Sequence, residues 1–219
     1  MNEEYTHISV ILDRTGSMES IRDDTIGGFN AFLKEQQQEA GTATLTLAQF
    51  DTQNPYEVIH QFAPIHTVSE MTRKTYVPRA STPLLDAIGR GINDLEQRLA
   101  DMDPSQSPAR VVFVIITDGQ ENSSKEFRKD QIVKMLQQKQ EQGVWQFVFL
   151  SADLASINDA MAYGFQAAST MSHDRSAKGT ASAWASLSAR TSDHRRAKAK
   201  KLTFTEEDRS QQESEGKRK

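Results

Sequence analysis

The chain has 219 residues, with 26 basic and 30 acidic side chains, a formal charge of −4 and no cysteine. This composition excludes a disulfide-stapled scaffold and a thiolate metal site, and it disfavours a strongly basic nucleic-acid-binding protein. No apolar run approaches the roughly 20 residues of a membrane-spanning helix, and the first residues lack the basic-then-apolar order of a secretory signal. We therefore expect a soluble, cytoplasmic protein.

The first part of the chain predicts a strand, a helix and a hairpin. A β-branched run stops abruptly at Asp13, and apolar residues then recur at spacings of three and four from Met18 up to the helix breaker Gly41. Within that helix, Gly27 and Gly28 predict a close approach of the backbone to a sheet. The predicted elements are a strand at 7–12, a helix at 18–40, and a hairpin of strands at 42–50 and 57–62.

The second part continues the alternation of strands and helices. Its most hydrophobic stretch, 111–116, predicts a central strand covered on both faces. The other predicted elements are helices at 85–99, 127–142, 157–162 and about 176–194, and strands at 145–150 and, weakly, 165–168. Together they predict an α/β fold, Rossmann-like and doubly wound, with a mostly parallel sheet, one antiparallel edge strand and helices on both faces.

The domain organisation follows from the same pattern. We predict one α/β domain over residues 1–194, with its core at about 5–170, followed by a charged, flexible tail over 195–219. The tail has nine basic and five acidic side chains, and Leu202 and Phe204 are its only sizeable apolar residues. Its first basic cluster is expected to be solvated, although it could contact nucleic acid or an acidic partner; the cluster is Arg195, Arg196, Lys198, Lys200 and Lys201.

Oxygen-bearing side chains stand where three predicted loops meet the sheet. Asp13, Thr15 and Ser17 follow the first strand, Asp118 follows the central strand, and Thr82 precedes the 85–99 helix. Ligands of open α/β sheets bind at the carboxyl ends of the strands, so these side chains should lie together. Two carboxylates and three hydroxyls suit a hard divalent cation such as Mg²⁺ or Mn²⁺ and offer nothing soft for zinc or copper.

These segments resemble the metal ion-dependent adhesion site of von Willebrand factor type A (VWA) domains, in the small stand-alone form of bacteria and phages. The order and spacing of all three parts are similar, and the resemblance covers about residues 5–170. Thr15 departs from the family, which more often has Ser, but the hydroxyl is retained. The matching segments are DRTGSM at 13–18, STPLLDAI at 81–88 and ITDGQEN at 116–122.

The resemblance implies a metal-dependent protein-binding module rather than an enzyme. It implies that the Thr15 and Ser17 hydroxyls bind the cation directly, that Thr82 does so in the ligand-competent state, and that Asp13 and Asp118 hold it mainly through waters. The cation would keep much of its charge, and a Glu or Asp of a partner protein would complete its coordination. We expect no nucleic-acid or membrane partner and a monomeric chain. A subtype of this hypothesis is a subunit or accessory of a stress-response, metal-resistance or phage system that recruits an AAA+ ATPase, a kinase or a phosphatase.

Simpler structural roles are open for the same residues. Asp13 and Ser17 could form only a turn and a helix N-cap, Thr82 could cap the helix that begins near Pro83, and Asp118 could belong to an ordinary turn. The remaining residues of interest are assigned to loop shaping, packing or solvent, and they are Glu121, Asn122, Trp184, His7, His60, His66, His173 and His194.

The alternative function is a Mg²⁺-dependent phosphoryl-transfer enzyme of the haloacid dehalogenase-like type, whose nucleophile occupies the position of Asp13. Such enzymes need a second acid two residues later, where this chain has Thr15, and the acidic cluster near the fourth strand is also missing. A Rossmann-type nucleotide binder is weaker still, because the chain has neither G-x-G-x-x-G after its first strand nor a P-loop.

Overall fold

A computed structural model describes residues 2–216, with side chains described for 4–212. Twelve strands and helices of the described residues alternate along the chain, apart from the β2–β3 hairpin and the two final helices. The strands are β1 (Asn2–Asp13), β2 (Thr42–Phe50), β3 (Glu57–Pro64), β4 (Pro108–Thr117), β5 (Trp145–Ser151) and β6 (Thr170–Ser172). The helices are α1 (Arg22–Gln38), α2 (Leu84–Asp101), α3 (Lys129–Glu141), α4 (Leu154–Tyr163), α5 (Ala177–Arg195) and α6 (Glu206–Gly216).

The six strands form one sheet in the order β3-β2-β1-β4-β5-β6. β3 is antiparallel to β2, and the other neighbouring pairs are parallel, so the predicted doubly wound fold with one antiparallel edge is confirmed. β1 and β4 lie side by side, with Leu12 opposite Ile116. From this central pair the chain continues through β2 and β3 on one side and through β5 and β6 on the other. This change of direction leaves a crevice at the carboxyl ends of β1 and β4.

Helices cover both faces of the sheet because the central strands are apolar on both sides. In β1, Ile8 and Val10 face the layer that holds α1 and α5, whereas Ile11 faces the layer that holds α2, α3 and α4. All three side chains are fully buried. Within residues 2–216, no helix is long and apolar enough to cross a membrane.

Two local predictions differ from the structure. The weak strand expected at 165–168 lies instead at Thr170–Ser172, because the left-handed Gly164 (φ 106°) ends α4 and directs Phe165 onto Phe149, with ring centroids 5.2 Å apart. Gly28 does bring backbone close to a neighbour, but that neighbour is Trp184 of α5 and not the sheet.

The segment after residue 194 also differs from the flexible tail that the sequence predicts. Arg195 is buried and donates to the backbone oxygen of Gln36 in α1. Leu202 and Phe204 belong to the hydrophobic layer beneath α1 and α5, and the Phe204 N–H donates to the Ala168 oxygen at 2.8 Å. Two apolar residues therefore dock this segment on the domain, although its average composition is that of a solvated chain. Residues 217–219 of the predicted tail lie outside the described residues.

Candidate functional site

Three loops meet above the carboxyl ends of β1 and β4, and they bring all five predicted site residues together. Asp13 ends β1 and Asp118 follows β4, and both are fully buried. Thr15 and Thr82 are also buried, whereas Ser17, in the short 3-10 helix Gly16–Ile21, is exposed. The site thus has two buried carboxyl groups and one hydroxyl that is exposed to solvent.

The three hydroxyls form a hydrogen-bonded chain that leads to Asp118. The Thr82 hydroxyl donates to Thr15 Oγ1 at 3.3 Å, and the Thr15 and Ser17 oxygens are 3.2 Å apart. Ser17 donates to Asp118 Oδ1 at 2.5 Å, so Thr15 must supply the proton between Thr15 and Ser17. These hydrogen bonds hold the three hydroxyl oxygens close together, and their lone pairs could bind a cation.

Asp13 is held by its own turn and by the last residue of β4. Its two carboxylate oxygens accept from the Thr15 N–H at 2.7 Å and from the Thr117 hydroxyl at 2.5 Å. Burial raises the pKa of Asp13 to about 7, against the lowering effect of these hydrogen bonds, and the charge of Asp118 adds to the increase. A cation in the site would favour the ionised carboxylate.

The second carboxylate oxygen of Asp118 accepts no hydrogen bond from the described residues and could coordinate a cation. Its Oδ2 atom is buried and has no hydrogen-bond partner among the described residues, and the guanidinium of Arg175 lies 3.7 Å away. The described residues include no cluster of three or more His, Cys, Asp or Glu side chains suited to a metal. Two carboxylates and three hydroxyls are oxygen donors of the kind that suits a hard divalent cation.

The loop after β4 fixes the position of Thr82. Asn122 accepts from the Thr82 N–H at 3.0 Å and donates its own N–H to the Thr82 oxygen. Glu121 accepts from the Leu85 N–H in the first turn of α2. The N-cap role considered for Thr82 is therefore taken by Glu121, and both Glu121 and Asn122 shape the loop as predicted.

Arg14 lies between Asp13 and Thr15 in the sequence, but its side chain pairs with residues outside the candidate site. Its guanidinium pairs with Asp51 at 2.7 Å and with Glu57 at 2.5 Å, and its Nη1 donates to Gln49. These contacts tie the turn after β1 to β2 and β3. Arg14 thus anchors the loop, and its ion pairs are with Asp51 and Glu57 rather than with a carboxylate of the site.

Sequence reasoning missed three residues that contact the site. Thr117 supports the Asp13 carboxylate, Tyr76 donates its hydroxyl to the Asp13 backbone oxygen at 2.6 Å, and Arg175 donates to the Asp118 backbone oxygen at 2.8 Å. Only Thr117 carried a sequence signal, since it precedes Asp118 directly. Tyr76 and Arg175 come from distant parts of the chain.

By sequence, the chain matches no family model and no curated protein. By structure it is similar to the pilus adhesin SpaC from Lactobacillus rhamnosus GG, with a TM-score of 0.66, 12% identity and coverage of 89% of this chain and 31% of that one. It is also similar to the manganese-loaded TRAP protein of Plasmodium vivax, with a TM-score of 0.54, 13% identity and coverage of 78% and 69%.

A third similar structure is proximal thread matrix protein 1 from the mussel byssus, with a zinc-occupied metal ion-dependent adhesion site. It aligns with a TM-score of 0.57, 10% identity and coverage of 88% of this chain and 47% of that one. The chain has a VWA-like fold. It spans less than half the length of the SpaC and mussel structures.

Proposed function

We propose that this chain is a divalent-metal-dependent protein-binding module. Asp13, Thr15, Ser17, Thr82 and Asp118 would hold Mg²⁺ or Mn²⁺, and an acidic side chain of a partner protein would complete the coordination. The proposal rests on the buried Oδ2 atom of Asp118, which has no hydrogen-bond partner among the described residues. The other oxygen of this carboxylate accepts from Ser17, which is linked to the hydroxyls of Thr15 and Thr82. The metal-loaded structures of TRAP and of the mussel protein support it.

The chemistry of the donor set explains why the module would capture an acid. Hydroxyl ligands leave the charge of the cation largely unneutralised. The two carboxylates of the site are buried, whereas Ser17 is exposed to solvent. A carboxylate arriving from solvent then gains a strong interaction with the cation. The proposal includes no catalytic step, and Thr15 stands where a haloacid dehalogenase-like phosphatase would need its second acid.

Metal binding is tested by calorimetric titration of the full chain with Mn²⁺. The Asp13→Ala/Ser17→Ala double variant should lose the binding signal, because it removes one carboxylate and one direct hydroxyl. Asp103→Ala/Ser105→Ala is the matched control. This exposed pair lies in the loop before the amino end of β4, whereas the site lies at the carboxyl end of that strand. Unchanged Mn²⁺ affinity in the Asp13/Ser17 variant would show that the metal site is elsewhere.

Partner capture is tested separately through Thr82, because its hydroxyl is the ligand expected to engage when the acid arrives. Immobilised chain should retain a partner in Mg²⁺ and release it in EDTA. Thr82→Ala should weaken partner retention more than Mn²⁺ affinity, whereas Asp13→Ala should weaken both. A complex that survives EDTA, or that tolerates Thr82→Ala, would contradict capture through the metal.

A further inference from the structure

Arg175 is a charged side chain at the candidate metal site that the proposed function leaves without a role. It lies in the turn between β6 and α5, distant in sequence from the three site loops. Its Nη2 atom donates to the backbone oxygen of Asp118 at 2.8 Å and lies 3.7 Å from the Asp118 Oδ2 atom. Its side chain is 49% exposed, whereas that of Asp118 is fully buried.

Among the ion pairs of the described residues, the guanidinium of Arg175 pairs with a carboxylate of the site. Arg14, which follows Asp13 in the sequence, pairs instead with Asp51 and Glu57. The ion pair between Arg175 and Asp118 Oδ2 is longer than a hydrogen bond. Arg175 therefore offsets part of the charge of Asp118 without satisfying its second oxygen.

We propose that Arg175 sets the metal affinity of the site, as a tethered cation with which a divalent ion must compete for Asp118. This inference rests on the proposed function. A divalent ion near Asp118 would lie within a few ångströms of the guanidinium, so their repulsion lowers the affinity for the metal. The half-exposed position of Arg175 allows water to screen this repulsion in part, which limits the effect to a modest factor.

Arg175→Gln and Arg175→Lys test the charge of Arg175. The Gln variant removes the charge and leaves a shorter polar side chain, and the Lys variant keeps the charge together with N–H donors. Arg98→Gln is the matched control, because Arg98 pairs with Asp94 near the end of α2 that is remote from the site. Each full-length variant is titrated with Mn²⁺ alone at low and at raised salt.

The charge mechanism predicts that Arg175→Gln binds Mn²⁺ about three- to tenfold more tightly than the wild-type chain, with a smaller gain at raised salt. Arg175→Lys and Arg98→Gln should stay within about twofold of the wild-type affinity. Mn²⁺ should also raise the melting temperature of Arg175→Gln more than that of the wild-type chain.

The possible failures are distinguishable. Measurable Mn²⁺ binding with equal or weaker affinity in Arg175→Gln overturns the role of Arg175 and leaves the metal site intact. Absence of Mn²⁺ binding in the wild-type chain and in every variant overturns the metal site, and the role of Arg175 with it. Binding that appears only in Arg175→Gln supports the competition.

Discussion

At the scale of single residues, the candidate site depends on a hydroxyl that is not one of its expected ligands. Thr117 donates to Asp13 Oδ2 and accepts the Gly119 N–H at 3.1 Å, so it orients a carboxylate and the following loop together. Residues that orient metal ligands commonly change metal affinity by about 10- to 100-fold when they are replaced. Thr117 therefore has the position of a supporting residue for the proposed metal site.

Thr117→Val should weaken Mn²⁺ binding by about tenfold, because valine keeps the shape of threonine and removes the donor to Asp13. Calorimetric titration measures the change. Thr6→Val is the matched control, since Thr6 lies in the same sheet and its buried hydroxyl has no hydrogen-bond partner among the described residues. Equal Mn²⁺ affinity in Thr117→Val and wild-type protein would contradict this supporting role.

His7 is a buried residue whose titration should make the fold sensitive to acid. Its ring stacks on Phe62 at 3.8 Å, its Nδ1 bonds to the Thr44 hydroxyl, and burial together with the charge of Arg98 lowers its pKa to about 3. In the unfolded chain the imidazole takes up a proton near pH 6.5, so acid favours the unfolded state between the two pKa values.

The free energy of unfolding should therefore fall as the pH decreases from about 6.5 towards 3, and His7 should contribute up to about 1.4 kcal/mol per pH unit. His7→Leu lacks this contribution, since leucine does not titrate. Urea unfolding of both proteins at about pH 7, 6, 5 and 4 compares the two slopes. Parallel stability curves would show that His7 is not the group responsible.

At the scale of secondary structure, the contact between α1 and α5 depends on the absence of a side chain at Gly28. A Cβ atom there would lie 2.0 Å from Cδ1 of Trp184, whose indole also packs against Phe29 and Phe32. The adjacent Gly27 is exposed, and a Cβ atom there would meet nothing within 4 Å. The contact with Trp184 thus requires a glycine at position 28, whereas the space around position 27 would admit a side chain.

Gly28→Ala should lower the free energy of unfolding by about 1–3 kcal/mol, because the added methyl overpacks a rigid aromatic contact. Gly27→Ala should raise it by about 0.5–1 kcal/mol, because alanine favours the helical backbone and meets no neighbour. Thermal melting of the two variants gives the comparison. A tolerated Gly28→Ala would mean that Trp184 does not pack on α1 as the structure shows.

At the scale of the whole molecule, the segment 196–216 closes one layer of the domain. Leu202 and Phe204 are buried, and Asp208 of α6 pairs with Arg190 of α5 at 3.0 Å. Arg209 donates to backbone oxygens of Ala167 and Thr170 beside β6. The segment therefore covers the short edge strand β6 as well as α5.

Leu202→Ala/Phe204→Ala should destabilise the domain by about 3–6 kcal/mol, because two buried apolar side chains are shortened. Lys200→Ala/Lys201→Ala, at exposed positions of the same segment, should change the stability by less than about 0.5 kcal/mol. Urea unfolding measures both variants. A double apolar variant as stable as the wild type would indicate the mobile tail that the composition predicts.

Much of the fold and of the candidate site could be predicted because the signals are local. The apolar run that ends at Asp13 and the one that ends before Asp118 each record burial on both sides of the strand, and β1 and β4 are indeed adjacent. Parallel neighbouring strands end at the same side of a sheet, so the side chains that follow them lie close together there. Thr82 joins them because the helix that it precedes, α2, begins at the same end of the sheet.

Periodicity and residue type are properties of short segments, so the alternation of strands and helices and the oxygen-bearing residues of the candidate site could be predicted from the sequence. The distant side chains that contact those residues could not, because they come together only when the chain folds. Arg175 reaches Asp118 from 57 residues away, and Thr117 reaches Asp13 across 104. The docking of 196–216 is likewise a tertiary effect, because a few buried contacts such as those of Leu202 and Phe204 outweigh the polar average of their segment.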